Sequence, residues 1–394
     1  MSFRKPALGE WSPLKRLGGL GSLLLACFLP VACSGTEAAD GDRPGEVEAT
    51  DLTSLWDAAV LMPPREEGML RGLAFTGRLH YDYVNLDSNL GDAEFAEFRR
   101  LRSGFRATLP EGWELKGEVD FDANDADPFY EGLTDAYIAW RPTDTLTYKL
   151  GKQAAFFTLE GATSSNELLT MERSNVSNNL WFPALFMPGA TVESKDDGRL
   201  FFAGLYSSGG ASPEFGDFDG SVFVLLKAER DFANRLGSEE AVLGLHGVFQ
   251  DPDPDNTFTR PHGQVYSLNF RYHDRPWRFQ SDLARSQGSG DQPDLTGLVL
   301  MPAYDIDESW QLVARATMLR SDETGGVRLA RYDNRITAER GDRFEEIYFG
   351  LNRYLNGQKL RWQTGLSYAR LHDLAKSGGD YEGWTFSSGI RLGW

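Results

Sequence analysis

The chain ends on a segment with two unlike faces. In Trp384-Thr385-Phe386-Ser387-Ser388-Gly389-Ile390-Arg391-Leu392-Gly393-Trp394, a period of two puts Trp384, Phe386, Ile390, Leu392 and Trp394 on one side, broken only by Ser388. Thr385, Ser387, Gly389, Arg391 and Gly393 fall on the other. A β-strand points successive side chains to opposite faces, so this segment is oily on one side and polar on the other. The pattern recurs upstream. Leu79, Tyr81 and Tyr83 alternate with Arg78, His80 and Asp82, and Leu115, Val119 and Phe121 alternate with Glu114, Lys116, Glu118 and Asp120. Leu146, Tyr148 and Leu150 alternate with Thr147, Lys149 and Gly151, and Leu360, Trp362, Leu366 and Tyr368 with Arg361, Gln363, Gly365 and Ser367.

Segments of about ten alternating residues separated by turn residues are the signature of a transmembrane β-barrel. A helical membrane protein is excluded, because the mean hydropathy is −0.40 and no apolar run of about eighteen residues follows the N-terminus. From about Gly72 onward the pattern accommodates sixteen strands, with the weakest alternation at 198–207, 219–230 and 295–306. The expected fold is all-β, a sixteen-stranded transmembrane antiparallel β-barrel over residues 71–394. Its polar face cannot point at lipid, since an Arg at the bilayer midplane costs roughly 2–4 kcal/mol. It must therefore face the lumen. Charged residues at nearly every lumen position cannot be buried dry, which predicts a water-filled channel.

The remaining composition fits an exported protein. Aromatic residues make up 12% of the chain, as expected where aromatic girdles sit at both membrane interfaces. Residues 1–33 read as an export signal: Arg4, Lys5, Lys15 and Arg16 precede a short apolar stretch from Leu17 to Val31. Both cysteines, Cys27 and Cys33, lie in this signal, and each follows a faint lipoprotein-type cleavage box, so lipidation at either stays open. Residues 34–70 read as a flexible acidic spacer carrying one short helix near 51–60, ended by Pro63-Pro64. Of 40 basic and 58 acidic side chains, the signal holds four basic ones and Glu10, so its removal takes the formal charge from −18 to −21. Such a chain has no electrostatic case for binding nucleic acid. The expected surroundings are outer-membrane lipid. Asp122 to Asp127 and Asp251-Pro252-Asp253-Pro254-Asp255 read as loops.

One long segment breaks the alternation. Residues from about 155 to 188 run through Gly161-Ala162-Thr163-Ser164-Ser165-Asn166 and Ser174-Asn175-Val176-Ser177-Asn178-Asn179 without a sustained strand period. Loops of this length inside a compact fold are usually functional. Folded inward, this one narrows the barrel and sets what passes; folded outward, it covers the mouth.

That loop and its flanks resemble the phosphate-selective porin O/P family of bacterial outer membranes. The matching pieces are Phe98-Arg99-Arg100-Leu101-Arg102-Ser103-Gly104, Trp113-Glu114-Leu115-Lys116-Gly117-Glu118-Val119-Asp120-Phe121, Gly132-Leu133-Thr134-Asp135-Ala136-Tyr137, Gly151-Lys152-Gln153, Leu159-Glu160-Gly161-Ala162-Thr163-Ser164-Ser165-Asn166 and Met171-Glu172-Arg173-Ser174. Their order and spacing hold over about residues 95–207. The resemblance implies a trimeric sixteen-stranded porin whose third loop forms the constriction. It also implies an anion site made by an arginine pair, an aspartate and a loop serine pair, at the positions of Arg99, Arg100, Asp135, Ser164 and Ser165. Arginine offers fork-shaped donors suited to oxyanions. The period of two separately puts Arg100, Arg102 and Arg106 on the lumen face, opposite Leu101, Phe105 and Leu109. Adjacent Arg99 and Arg100 cannot both face inward on a regular strand, so a bulge or a strand end is required.

The chain departs from the family at one point. The phosphate-binding members place a lysine just before the serine pair, and here no Lys lies between Gln153 and Ser165. An arginine row facing loop carboxylates such as Glu160 and Glu167 is also how general porins build a transverse field. The expected function is an outer-membrane channel for passive diffusion of small polar or anionic solutes, with phosphate as one candidate. The five histidines are scattered without ligand spacing, no catalytic cluster is read, and no cofactor is implied. The rival from another class is a secreted, soluble β-rich binding or adhesion protein, which would need no detergent.

Overall fold

The computed structural model describes residues 53–394 except 126, 181–184, 208–211, 217–221 and 251–259. The expected export signal and the Asp251–Asp255 loop lie outside the described residues. A six-residue helix, Thr53–Ala58, occupies part of the predicted helical stretch. Sixteen long strands follow, β1 (Gly72–Ser88), β2 (Gly91–Thr108), β3 (Trp113–Phe121), β4 (Tyr130–Thr143), β5 (Leu146–Ala154), β6 (Phe186–Asp196), β7 (Arg199–Ser207) and β8 (Val222–Asp231). The second half comprises β9 (Glu240–Gln250), β10 (His262–Asp274), β11 (Trp277–Gly288), β12 (Leu295–Asp305), β13 (Trp310–Ser321), β14 (Arg343–Asn356), β15 (Leu360–His372) and β16 (Tyr381–Gly393). Each pairs antiparallel with its neighbours in sequence, and β16 closes on β1 through eleven consecutive partners from Gly383↔Ser88 to Gly393↔Arg78. Closure leaves no unpaired edge, which is what lets strands cross hydrocarbon that offers no hydrogen bonds.

The outward face carries the oily half of each alternation. Leu150, Phe201, Leu245, Leu283, Met318, Phe349 and Trp384 all stand exposed on it. An apolar surface of this extent on a monomer marks contact with lipid. Aromatics cluster near the strand ends. Trp140 stacks on Trp113 at 5.6 Å and on Tyr148 at 5.7 Å, close to the short turns. Tyr368 and Trp384 meet at 5.0 Å close to the long loops. Short turns face the periplasm and long loops the exterior in such barrels, which orients the chain.

The inner face is two walls of different character. The sequence led us to expect charge at nearly every lumen position, and the structure corrects this. Leu225, Val248, Val265, Val299, Met301, Val313 and Phe344 line the inside from β8 to β14 as one buried apolar cluster. Against them pack Phe157, Leu169, Val176 and Leu180 from the long loop, and Val327 and Leu329 from the loop between β13 and β14. Burial of this face supplies the force that folds both loops inward. The polar wall, β1 to β4, stays open opposite them.

Candidate functional site

The long loop occupies residues 155–185, three residues shorter than its expected end, because β6 begins at Phe186. Its descent is fixed by hydrogen bonds to the inner wall. Arg315 of β13 meets Glu160 at 3.0 Å and Glu346 at 2.9 Å, with all three side chains buried. The Asp282 carboxylate of β11 accepts from the Leu159 N–H at 2.8 Å. Gln363 and Asn352 donate to the carbonyls of Leu168 (3.1 Å) and Leu169 (2.9 Å), so irregular loop backbone is satisfied inside the barrel. Asn166 meets His80 at 2.8 Å. Arg391, from the terminal segment, forms an ion pair with Asp82 and donates to the Met171 carbonyl at 3.3 Å.

Between this loop and the β1–β4 wall lies a cavity of about 510 Å³. Arg99, Arg100, Arg102, Asp135, Ser164 and Ser165 all line it. The arginine pair reaches it together because β2 is bulged: His80 pairs with Arg100 and Tyr81 with Phe98, leaving Arg99 as the extra residue. A bulge re-aims side chains in this way. A second irregularity sits at Thr134, since Glu118 pairs with Asp135 while Val119 pairs with Leu133. The freed Thr134 hydroxyl donates to the Glu118 carbonyl at 3.0 Å. Arg106 also belongs to the inward set but stands apart. It pairs with Lys116 toward the periplasmic turns and is not among the cavity's lining residues.

Most charges here are matched. Arg102 donates to Asp120 at 2.8 Å, Lys116 to Asp135 at 2.7 Å, and Arg99 forms an ion pair with Glu172 of the loop. Arg100 instead leans onto Nδ1 of His80 at 3.3 Å. Arg78 donates to the Ser165 hydroxyl at 2.8 Å. With the family's loop lysine missing, the cation that touches the serine pair comes from the barrel wall. Burial pushes the Glu172 carboxyl up, but the Arg99, Arg100 and Arg331 guanidiniums prevail and hold it well below the usual carboxylate range. Burial lowers Arg173 to about 10 against the opposing pull of Glu172 and Glu160.

The loop acids expected to face the arginine row do not do so. Glu160 is turned to the opposite wall, held by Arg315 and by the Ser174 N–H at 2.8 Å. Glu167 is exposed, and its charge acts on Arg361 of β15. The facing carboxylate is Glu172. Arg78, Glu172 and Arg331 are the residues sequence reading missed. Arg78 was legible, because it shares the polar face of β1 with His80 and Asp82; Glu172 and Arg331 lie on loops, where no period assigns a direction.

Residues 73–220 match the sequence profile of phosphate-selective porin O and P. No curated protein matches the chain. Among solved structures, the outer-membrane channel DcaP of Acinetobacter baumannii superimposes with a TM-score of 0.57 at 12% identity, over 84% of this chain and 100% of that one. The anion-selective porin from Comamonas acidovorans gives 0.57 at 10%, over 82% and 99%. The in-vitro folded trimer form of OmpT from Vibrio cholerae gives 0.50 at 15%, over 82% and 99%. At these identities the likeness concerns the fold. Taken with the closed sixteen-stranded barrel and its inward loop, it shows that the chain has the barrel fold of outer-membrane porins and that residues 73–220 of it match the phosphate-selective porin O and P family.

Proposed function

We propose that this porin passes small polar and anionic solutes, phosphate being one candidate, through the gap between the long loop and the β1–β4 wall. The observation that carries this reading is the cavity itself. Arg78, Arg100 and the loop hydroxyls of Ser164 and Ser165 border one water-accessible space. Guanidinium forks and hydroxyl donors suit oxyanions, and low-dielectric walls strengthen their field. The matched pairs make the expected anion preference moderate. We further propose that 1–33 is the cleaved signal, 34–70 a spacer, and that the protein works as a homotrimer, the form in which OmpT from Vibrio cholerae was solved.

The test is the reversal potential of single channels in a salt gradient. Replacing Arg100 and Arg102 with Ala should shift it toward cations, through loss of the Arg100 guanidinium and release of the Asp120 carboxylate that Arg102 matches. Adding Arg78→Ala should extend the shift. An unchanged potential in folded variants would make this arginine row structural.

A further inference from the structure

Once the matched pairs are set aside, the cavity keeps four charges without an ion pair among the described residues. Two are the guanidiniums of Arg78 and Arg100, and two are the carboxylates of Asp122 and Glu131. They are separated around the wall. Arg78 belongs to β1, and Arg100 leans toward β1 through His80. Asp122 directly follows β3, and Glu131 lies at the loop end of β4. Adjacent strands lie about 4.8 Å apart, so the opposite charges are spread over one strand spacing, from Arg100 on β2 to Asp122 at the end of β3, up to three, roughly 14 Å, from Arg78 on β1 to Glu131 on β4. Asp122 accepts from the Asn124 N–H at 2.8 Å, which orients its carboxylate without neutralising it. Nε of Arg78 is buried and has no hydrogen-bond partner among the described residues.

We propose, on the basis of the channel reading above, that the preferred solutes are small zwitterions of amino-acid size, carrying one ammonium and one carboxylate. A simple anion drawn to Arg78 and Arg100 also meets Asp122 and Glu131, and a simple cation meets the reverse. A zwitterion turned with its carboxylate toward β1 and its ammonium toward β3 and β4 finds attraction at both ends. Like-charge juxtaposition penalises each of the other two classes, and discrimination rests on that repulsion as much as on attraction. Between the poles, Arg102 is matched by Asp120, while Lys116 meets both Asp135 (2.7 Å) and Glu118 (3.6 Å), so this stretch carries one carboxylate in excess, on the β3 and β4 side.

The experiment compares efflux of alanine, lactate and erythritol from vesicles containing the full-length porin, corrected for protein-free vesicles. Alanine should leave about threefold faster than either of the others, below the roughly tenfold at which focusing by single-sign clefts begins, because both signs are present here. In the Asp122→Asn, Glu131→Gln double variant, which keeps side-chain size, alanine should lose its lead, lactate should speed up and erythritol should stay unchanged. Equal rates for the three solutes, a lead for lactate in the unaltered protein, or an alanine lead that survives the double substitution would each overturn the proposal while leaving the channel reading intact. Erythritol efflux no faster than in protein-free vesicles would overturn the channel reading, and this inference with it.

Discussion

Arg315 on the inner wall and Glu160 in the long loop meet at 3.0 Å, 155 residues apart in sequence, with both side chains nearly inaccessible. The same guanidinium also binds Glu346, Thr170 and the Glu172 carbonyl, at 2.8 to 3.0 Å. One wall residue thus ties the loop's short helix Leu159–Ala162 to the stretch that sets Glu172 against Arg99. The pair acts through position and supplies no free charge to the pore.

Replacing Arg315 with Ala should therefore loosen the loop. The Glu160 and Glu346 carboxylates would be left buried and uncompensated, and breaking such a pair costs about 3–5 kcal/mol. Single-channel conductance should rise and become noisier, and the loop should become cleavable by protease. Replacing both Arg315 and Glu160 with Met should restore much of the wild-type behaviour. Unchanged conductance in the folded single variant would mean that the apolar cluster alone holds the loop.

A closed barrel with lipid-facing Leu, Phe and Trp on every side should be heat-modifiable. Unboiled and boiled samples are expected to run differently on SDS gels, with circular dichroism in detergent dominated by β-structure. Full solubility without detergent at native β content would contradict the outward face described above.

Barrel and strand count were legible because a period of two survives wherever one face meets lipid, as in the terminal segment from Trp384 to Trp394. The bulge at Arg99 was legible for a different reason: two adjacent arginines required to face one way leave no regular alternative. What could not be read was the dry half of the lumen. Val299, Met301 and Ala303 alternate with Leu298, Leu300 and Pro302 on β12, so both faces are apolar and the period vanishes. The pairing of Glu160 with Arg315 was equally hidden, since loop direction is set by distant packing and not by local spacing.

The loop between β13 and β14 should respond to pH through Asp333. Burial pushes its carboxyl up to about 6, the hydrogen bond from the Tyr381 hydroxyl at 2.6 Å pulls it back, and the Glu346 carboxylate adds to the rise. A raised carboxyl favours its neutral form in the folded loop. The stabilisation is complete below the ordinary value of 3.8 and is lost as pH climbs through about 6. Protease accessibility of this loop should therefore be lower at pH 5 than at pH 7.5. Asp333→Asn should hold it low at both, and a difference that persists in that variant would assign the effect elsewhere.

Glu172 offers the sharpest handle on selectivity. Its ion pair with Arg99 cancels one of the two arginines that the bulge brings into the cavity. Because neighbouring guanidiniums hold its carboxyl well below the usual range, it stays ionised at every pH a porin normally meets, and this pair should give wild-type selectivity no pH dependence between 5 and 8. Glu172→Gln keeps the side-chain shape while releasing the charge of Arg99 into the pore. The reversal potential should move toward anions, by more than the loss of any exposed loop carboxylate would cause, since charges beyond about 8 Å are screened in physiological salt. Altering Glu66 or Glu67 instead, both exposed near the chain's entry to the barrel, should give no shift. A variant that folds, conducts and keeps the wild-type potential would show that Arg99 is turned away from the solute path, and that Arg78 and Arg100 alone set the field.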